Sequence, residues 1–364
     1  MKNEAIVYPY SIQFAPIVRF LRHQGEFDII SAVMPGYWYK NGVDASFVDE
    51  GDIIGIPIIQ DFESEMSICE TVIWADYAYS SPLFRSKVCK QMQNAIKNGK
   101  SIYCCQQLSE EEYKSFKDLD TQGRFQYCVN QKTVFDEDRF RSDDAEADEI
   151  DTPIITVMGL SENCQKMETQ LYLRRMFEKN GYKILQIGTR NYCEFLGFHS
   201  FPQFMGNLKL SETEKVIRFK SYIKYLEKTE RPNIIIIGIP GGICNISKNL
   251  PSDFGITAYE VLSAVSSDYN ILMLWNEMYN DRLIGELKRI AAYRYNTNLD
   301  MICISNISLN KDGLLDKGHQ IGYNIYSNSE TENIIPSKVP ANITGVRQQG
   351  SDQMFQRIID SLSE

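Results

Sequence analysis

The sequence predicts an α/β protein of two domains: an N-terminal Rossmann-like parallel sheet and a C-terminal P-loop-NTPase-like parallel sheet with a degenerate phosphate loop. Three observations lead there. Apolar runs alternate with helical patterns of roughly 10–20 residues in both halves, the spacing of right-handed βαβ crossovers. An acidic stretch from Asp136 to Asp151 interrupts the alternation. At Ile154 it restarts, with an apolar run that turns at Gly159 and leads through Lys166 into an amphipathic helix. The expected division is 1–135, a linker at 136–151, and 152–364.

In the first half, Ala5–Pro9 reads as a strand, Phe14–His23 as a helix and Phe27–Met34 as a second strand. Ile53–Ile59 is a short apolar run, Ser64–Glu70 a short helix and Thr71–Ala75 a strand. A helix at Phe84–Asn98 leads into the strand Ser101–Cys105. Tyr8-Pro9-Tyr10-Ser11 stands where a Gly-x-Gly-x-x-Gly turn would follow the first strand, which argues against dinucleotide binding and a dinucleotide oxidoreductase. The acidic stretch repels itself and favours solvent, as a linker or mobile loop does. In the second half the expected strands are Ile154–Met158, Lys183–Ile187, Asn233–Ile239, Asn270–Trp275, Asp300–Ile304 and Gly322–Tyr326. Expected helices are Lys166–Asn180, Glu212–Lys228, Ala258–Ser266, Asp281–Tyr295 and Asp352–Leu362. Ile234–Ile237 and Ile271–Leu274 are apolar throughout, as central parallel strands covered on both faces must be.

Composition narrows the function classes. A chain of 364 residues, 43% hydrophobic and 24% charged, has an ordinary globular make-up. A net charge of −10 argues against nucleic acid, because phosphate backbones require a basic footprint. No apolar run approaches the ~20 residues that span a bilayer. Nine scattered cysteines without a Cys-x-x-Cys pair, and three histidines, argue against a zinc site or a disulfide framework. With no signal-peptide pattern before Ala5, a reducing cytoplasm is the expected location.

Three segments carry candidate chemistry. The first is Gly159-Leu160-Ser161-Glu162-Asn163-Cys164-Gln165-Lys166. Strand, glycine turn, lysine and helix together let backbone N–H groups and a helix N-terminus hold phosphate. The consensus is nevertheless broken: Gln165 replaces the glycine before the lysine, Met167 replaces the hydroxyl residue after it, and Glu168 adds charge that repels phosphate. Cys164, just before the helix, is placed where a thiol pKa would fall, unless it is a buried structural cysteine. The second is Gly188–Pro202, following a strand at the edge where open α/β sheets place ligands. Arg190 there suits phosphate or carboxylate, and Glu194 and His199 suit acid–base work; the alternative is an aromatic packing loop with His199 merely hydrogen-bonded. The third is Gly238-Ile239-Pro240-Gly241-Gly242, where glycines let a ligand approach the backbone, yet the acidic residue expected to hold magnesium is missing. Ser308–Gly313 superficially resembles a guanine-reading motif but is one residue short.

The order Gly159…Asn163-Cys164-Gln165-Lys166…Glu168, then Gly188-Thr189…Glu194…Gly197-Phe198-His199-Ser200-Phe201-Pro202, resembles clostridial peptide maturation system proteins. These are encoded with ribosomally made, post-translationally modified peptides, so the resemblance implies a pathway rather than a reaction. The domain layout is also similar to a broader group that includes D-glutamate N-acetyltransferases, whose loop keeps glycine before lysine, then methionine and threonine. Lys166 and Met167 match that pattern; Gln165 and Glu168 depart from it. The expectation is a maturation factor that binds a nucleotide (ATP or GTP) or acyl-CoA through Gly159, Asn163, Gln165, Lys166, Arg190, Gly241 and Gly242, with Glu194 or His199 handling protons. Its partners would be a precursor peptide or other maturation enzymes. The alternative is a non-catalytic scaffold that recognises such a peptide or enzyme.

Overall fold

The computed structural model describes residues 3–34, 41–78, 81–129, 149–244, 254–310, 323–327, 330, 344–345 and 351–363. The acidic stretch falls almost wholly outside these residues. Contacts divide the chain into two compact units, Met1–Gln131 with Glu194–Leu196, and Lys132–Cys193 with Gly197–Glu364.

The first unit is a six-stranded parallel sheet. Its strands are β1 (Glu4–Tyr8), β2 (Asp28–Val33), β3 (Ile58–Ile59), β4 (Thr71–Trp74), β5 (Ser101–Cys104) and β6 (Phe125–Tyr127), in the order β3-β2-β1-β4-β5-β6. The connecting helices are α1 (Ala15–Gln24), α2 (Phe62–Ile68), α3 (Pro82–Lys97) and α4 (Glu110–Leu119). Residues Ile6, Val72, Trp74, Val88, Met92 and Phe116 anchor its core. Of the apolar run Ile53–Ile59, only Ile58–Ile59 is strand. The Asp44 carboxylate draws in the N–H groups of Ile54 and Gly55, at 3.0 and 2.7 Å, and turns the chain there. Helix α2 starts at Phe62, before the expected Ser64, because Asp61 accepts the N–H groups of Glu63 and Ser64 and fixes the N-cap. Helix α4 was not foreseen; Ser109 and Glu112 close a full capping box at its start.

The second unit is a seven-stranded sheet, parallel throughout. Its strands are β7 (Ile154–Gly159), β8 (Ile184–Gly188), β9 (His199–Ser200), β10 (Ile234–Gly238), β11 (Tyr269–Leu274), β12 (Met301–Ile304) and Thr344–Gly345, the last at the edge beyond β12. The order from that edge is β12-β11-β7-β10-β8-β9. Helices α5 (Lys166–Lys179), α6 (Glu212–Glu230), α7 (Ile256–Ala264), α8 (Asp281–Tyr295) and a C-terminal helix, Ser351–Ser363, cover it. This is the two-domain α/β architecture with a P-loop-NTPase-like second half. Every residue of β7, β10 and β11 is buried, which explains the apolar runs Ile234–Ile237 and Ile271–Leu274; the buried polar pair Thr156 and Asn270 is hydrogen-bonded across β7 and β11. Tyr323–Ile325 does form a strand, but pairs antiparallel with Ile307–Leu309 in a separate two-stranded ribbon.

The chain leaves β7 toward β8 and β10 and later crosses to β11, so the strand order reverses beside β7. Open α/β sheets bind ligands in the crevice outside the strand ends at such a point.

Candidate phosphate site

The loop after β7 is tied at its start to both neighbouring strands' exits. Leu160 N–H donates to the Met273 carbonyl of β11 at 2.8 Å, and Ile243 N–H donates to the Gly159 carbonyl at 2.9 Å. A Cβ at Gly159 would meet the Ser161 carbonyl oxygen at 2.7 Å and Lys166 Cδ at 2.9 Å, so only glycine lets the loop fold back this tightly. Asn163 (φ 58°) and Gln165 (φ 59°) both take left-handed backbone. A side chain there costs roughly 1–2 kcal/mol, which is the reason glycine suits the position before the lysine.

Gln165 is held in that conformation by its own carboxamide. Its Nε2 donates to Glu168 Oε2 at 2.7 Å, and its Oε1 accepts the Asn306 N–H at 2.9 Å. The substituted residue thereby ties the first turn of α5 to the segment after β12. Asn163 Nδ2 donates to the Tyr323 hydroxyl at 2.8 Å. Helix α5 starts without a side-chain cap, leaving first-turn N–H groups at the positive end of its dipole.

Lys166 is 5% exposed. Its Nζ donates to the Gly241 carbonyl and, at 3.4 Å, to the Ser161 carbonyl. Glu162 Oε2 lies 3.9 Å from that ammonium, and Glu162 Oε1 accepts the Gly241 N–H at 2.7 Å. A Cβ on Gly242 would lie 2.7 Å from both the Leu160 carbonyl oxygen and Ser161 Cα. The glycine turn after β10 therefore packs directly on the phosphate-type loop, and Gly159, Gln165, Lys166, Gly241 and Gly242 converge. Glu162 is a member of this cluster that sequence reasoning overlooked, although it lies within the loop itself.

Two features differ from the expected chemistry. Cys164 is fully buried, and burial pushes its thiol up to about 12 even though Lys166 pulls the other way; the lowered pKa expected from the helix end does not occur. Thr169, also fully buried, turns its hydroxyl back to the Gln165 carbonyl at 3.1 Å, so it does not replace the missing hydroxyl after Lys166.

At the end of β10, a Cβ on Gly238 would meet the Gln170 carboxamide at 2.2–2.4 Å. The glycine admits the fully buried Gln170 side chain against the strand and leaves no carboxylate at this place. Among the described residues, no group of three or more His, Cys, Asp or Glu side chains could hold a metal ion. After β11 stands Asn276, 2% exposed, whose carboxamide nitrogen and oxygen are buried without a partner among the described residues. Such a group costs about 1–3 kcal/mol, and nothing in the local sequence marks it.

The Gly188–Pro202 segment arranges its polar groups differently. His199 Nε2 pairs with Glu230 Oε1 at 2.5 Å. Glu230 ends α6, four residues before β10 begins, so this partner comes from the end of the helix that leads into a central strand of the sheet. Strand β9 is separated from β7 by β8 and β10; among the described residues no hydrogen bond joins His199 to the phosphate-type loop. Glu194 sits in a 3-10 turn, Cys193–Leu196, and groups with the first unit. Arg190 is half-buried after β8, its carbonyl accepting the Cys193 thiol at 3.2 Å.

No family model and no curated protein matches the chain. Among solved structures it is similar to a DUF1611 family protein from Anabaena variabilis, at 11% identity over 99% of this chain and 100% of that one, with a TM-score of 0.61. That likeness shows the fold alone. A plasmid partition protein from Borrelia burgdorferi matches 58% of this chain and 98% of its own length, at 12% identity and TM-score 0.35. A type C pseudomurein peptide ligase from Methanothermus fervidus matches 84% and 44%, at 8% identity and TM-score 0.25. Scores this low carry no argument about the site.

Proposed function

We propose that this chain is a cytoplasmic maturation factor for a ribosomally synthesised peptide, and that it binds a nucleotide or acyl-CoA-type phosphate ligand at Gly159–Lys166. The single observation that carries the ligand reading is the setting of Lys166. A nearly buried ammonium, bonded to backbone carbonyls with one carboxylate 3.9 Å away, lies at the base of a helix whose first turn has no side-chain cap. An incoming phosphate would supply the close anion that this ammonium lacks and accept the first-turn N–H groups.

The pathway part rests on the resemblance to peptide maturation system proteins, and the location on the composition; no helix among the described residues is long and apolar enough to cross a membrane. Hydrolysis is not part of the proposal, because Gly238 stands where a magnesium-holding acid would be needed. His199, engaged with Glu230, could move a proton only after leaving that carboxylate. Arg190 and Glu194 remain candidates for the ligand wall and the proton step.

Isothermal calorimetry with ATP, GTP and acetyl-CoA tests the reading. Wild type should bind at least one of them, with Lys166→Ala losing it; no binding to any would remove its support. The second reading, a non-catalytic scaffold, is favoured by the missing acid at β10. It predicts a stable complex with a precursor peptide or modifying enzyme and no phosphate binding.

A further inference from the structure

The first unit contains a cavity of its own. Its strand order, β3-β2-β1-β4-β5-β6, reverses between β1 and β4, and a cavity of about 980 Å³ opens there. Tyr8, the last residue of β1, and Tyr77, just after β4, both line it. This is the position where open parallel sheets place ligands, and the volume is that of a small-molecule site. The missing glycine fingerprint after β1 removes dinucleotides from consideration, so the lining must identify the ligand.

One wall comes from the start of α2, the other from α3. The α2 side presents the carboxylates of Asp61 and Glu63; the α3 side presents the ammonium groups of Lys87 and Lys90. Aromatic pairs lie between them: Tyr8 against Phe62 with centroids 4.6 Å apart, and Tyr77 against Phe84 at 5.7 Å. The Tyr8 hydroxyl is occupied, donating to Gln91 Oε1 at 2.8 Å. No hydrogen bond or ion pair engages Lys87 or Lys90 among the described residues.

The charges are also spaced. Asn94 Nδ2 donates to Glu63 Oε2 at 3.3 Å, which fixes the carboxylate opposite that point of α3. Lys90 and Lys87 are four and seven residues back along the helix, about 6 and about 10 Å at 1.5 Å per residue. A two-residue peptide spans about 7 Å and a three-residue one about 10 Å, which matches these offsets along the helix. We propose that this cavity binds a short peptide of two or three residues with both termini free. Glu63 receives its ammonium, Lys90 or Lys87 its carboxylate, and the tyrosine and phenylalanine rings its apolar side chains.

The assignment goes beyond the phosphate reading and does not rest on it. The test is calorimetry of the full chain with the dipeptide Leu-Phe, its N-acetylated and C-amidated forms, and free phenylalanine. Leu-Phe should bind, and each blocked form and phenylalanine should bind at least tenfold more weakly. Glu63→Gln keeps an acceptor for Asn94 and should abolish the penalty for acetylation alone; the double variant Lys87→Ala/Lys90→Ala should abolish the penalty for amidation alone. Lys166→Ala should bind Leu-Phe as wild type does. No binding of Leu-Phe to a wild type with its folded circular-dichroism spectrum would overturn the proposal. So would equal binding of free and blocked forms, equal binding of phenylalanine, or loss of binding in Lys166→Ala.

Discussion

Replacing Gln165 by glycine restores the residue that a phosphate loop ordinarily carries there, and we expect it to destabilise the second unit. The substitution relieves a left-handed backbone, worth roughly 1–2 kcal/mol. It also removes two hydrogen bonds, to Glu168 at 2.7 Å and from the Asn306 N–H at 2.9 Å. Each such bond contributes about 0.5–1.5 kcal/mol net, and a buried N–H left unpaired costs about 1–3 kcal/mol; Asn306 is 3% exposed. The added chain freedom of glycine costs a further 0.5–1 kcal/mol, roughly. With the Asn306 bond counted once, through its unpaired N–H, the losses exceed the gain by about 1–3 kcal/mol, so the second unit's transition should fall by roughly 2–12 °C at about 2–4 °C per kcal/mol. Differential scanning calorimetry of the full chain reads this, with Gln165→Ala as control. The alanine variant loses the same bonds without relieving the backbone and should melt no higher than Gln165→Gly. A Gln165→Gly protein as stable as wild type would refute the idea that this glutamine is retained as a tether.

Gly242→Ala should cost about 1–3 kcal/mol by overpacking, because its Cβ meets Leu160 and Ser161 backbone at 2.7 Å; urea titration reads the loss, and phosphate-ligand affinity should fall with it. Thr156→Val removes the buried hydroxyl that donates to Asn270 Oδ1 at 2.6 Å, with an expected cost of about 1–3 kcal/mol by the same measurement. Arg85 grips both oxygens of Glu112, at 2.8 and 2.6 Å, and holds its carboxyl below the ordinary value of 4.5. The unfolded chain therefore binds more protons than the folded one around that pH, and the stabilisation, complete above about 4.5, is lost as pH falls through the depressed folded value. Melting curves of wild type and Glu112→Gln should consequently lie apart at about pH 6 and converge as the pH falls past the ordinary value of 4.5 and through the depressed folded value.

Much of the fold was legible because its strands are sealed on both faces. Ile234–Ile237 and Ile271–Leu274 are read at once as the cores of central strands, and the observed strands differ from the expected Asn233–Ile239 and Asn270–Trp275 by one residue at each end. Helix α4 was missed because Glu110-Glu111-Glu112 looks like solvated surface; the capping pair Ser109 and Glu112 was the available signal. The two-residue β3 and β9 are too short to leave a period-2 pattern.

The site was legible in part for a different reason. A strand, a glycine turn and a lysine are close in sequence, so Gly159–Lys166 can be recognised locally. What keeps Gln165 in place is Asn306, 141 residues away, and what faces Lys166 is Gly241, 75 residues away. Likewise, the bond between His199 and Glu230 depends on where α6 ends, which no local pattern encodes.

The most direct measurement is hydrogen–deuterium exchange of the full chain with and without saturating ATP, GTP or acetyl-CoA. The account predicts slowed exchange confined to peptides covering residues 160–168 and 238–243 for at least one of these ligands, and none in Lys166→Ala. Protection absent from both segments at saturation, or unchanged in the Lys166 variant, would contradict a phosphate site at this loop.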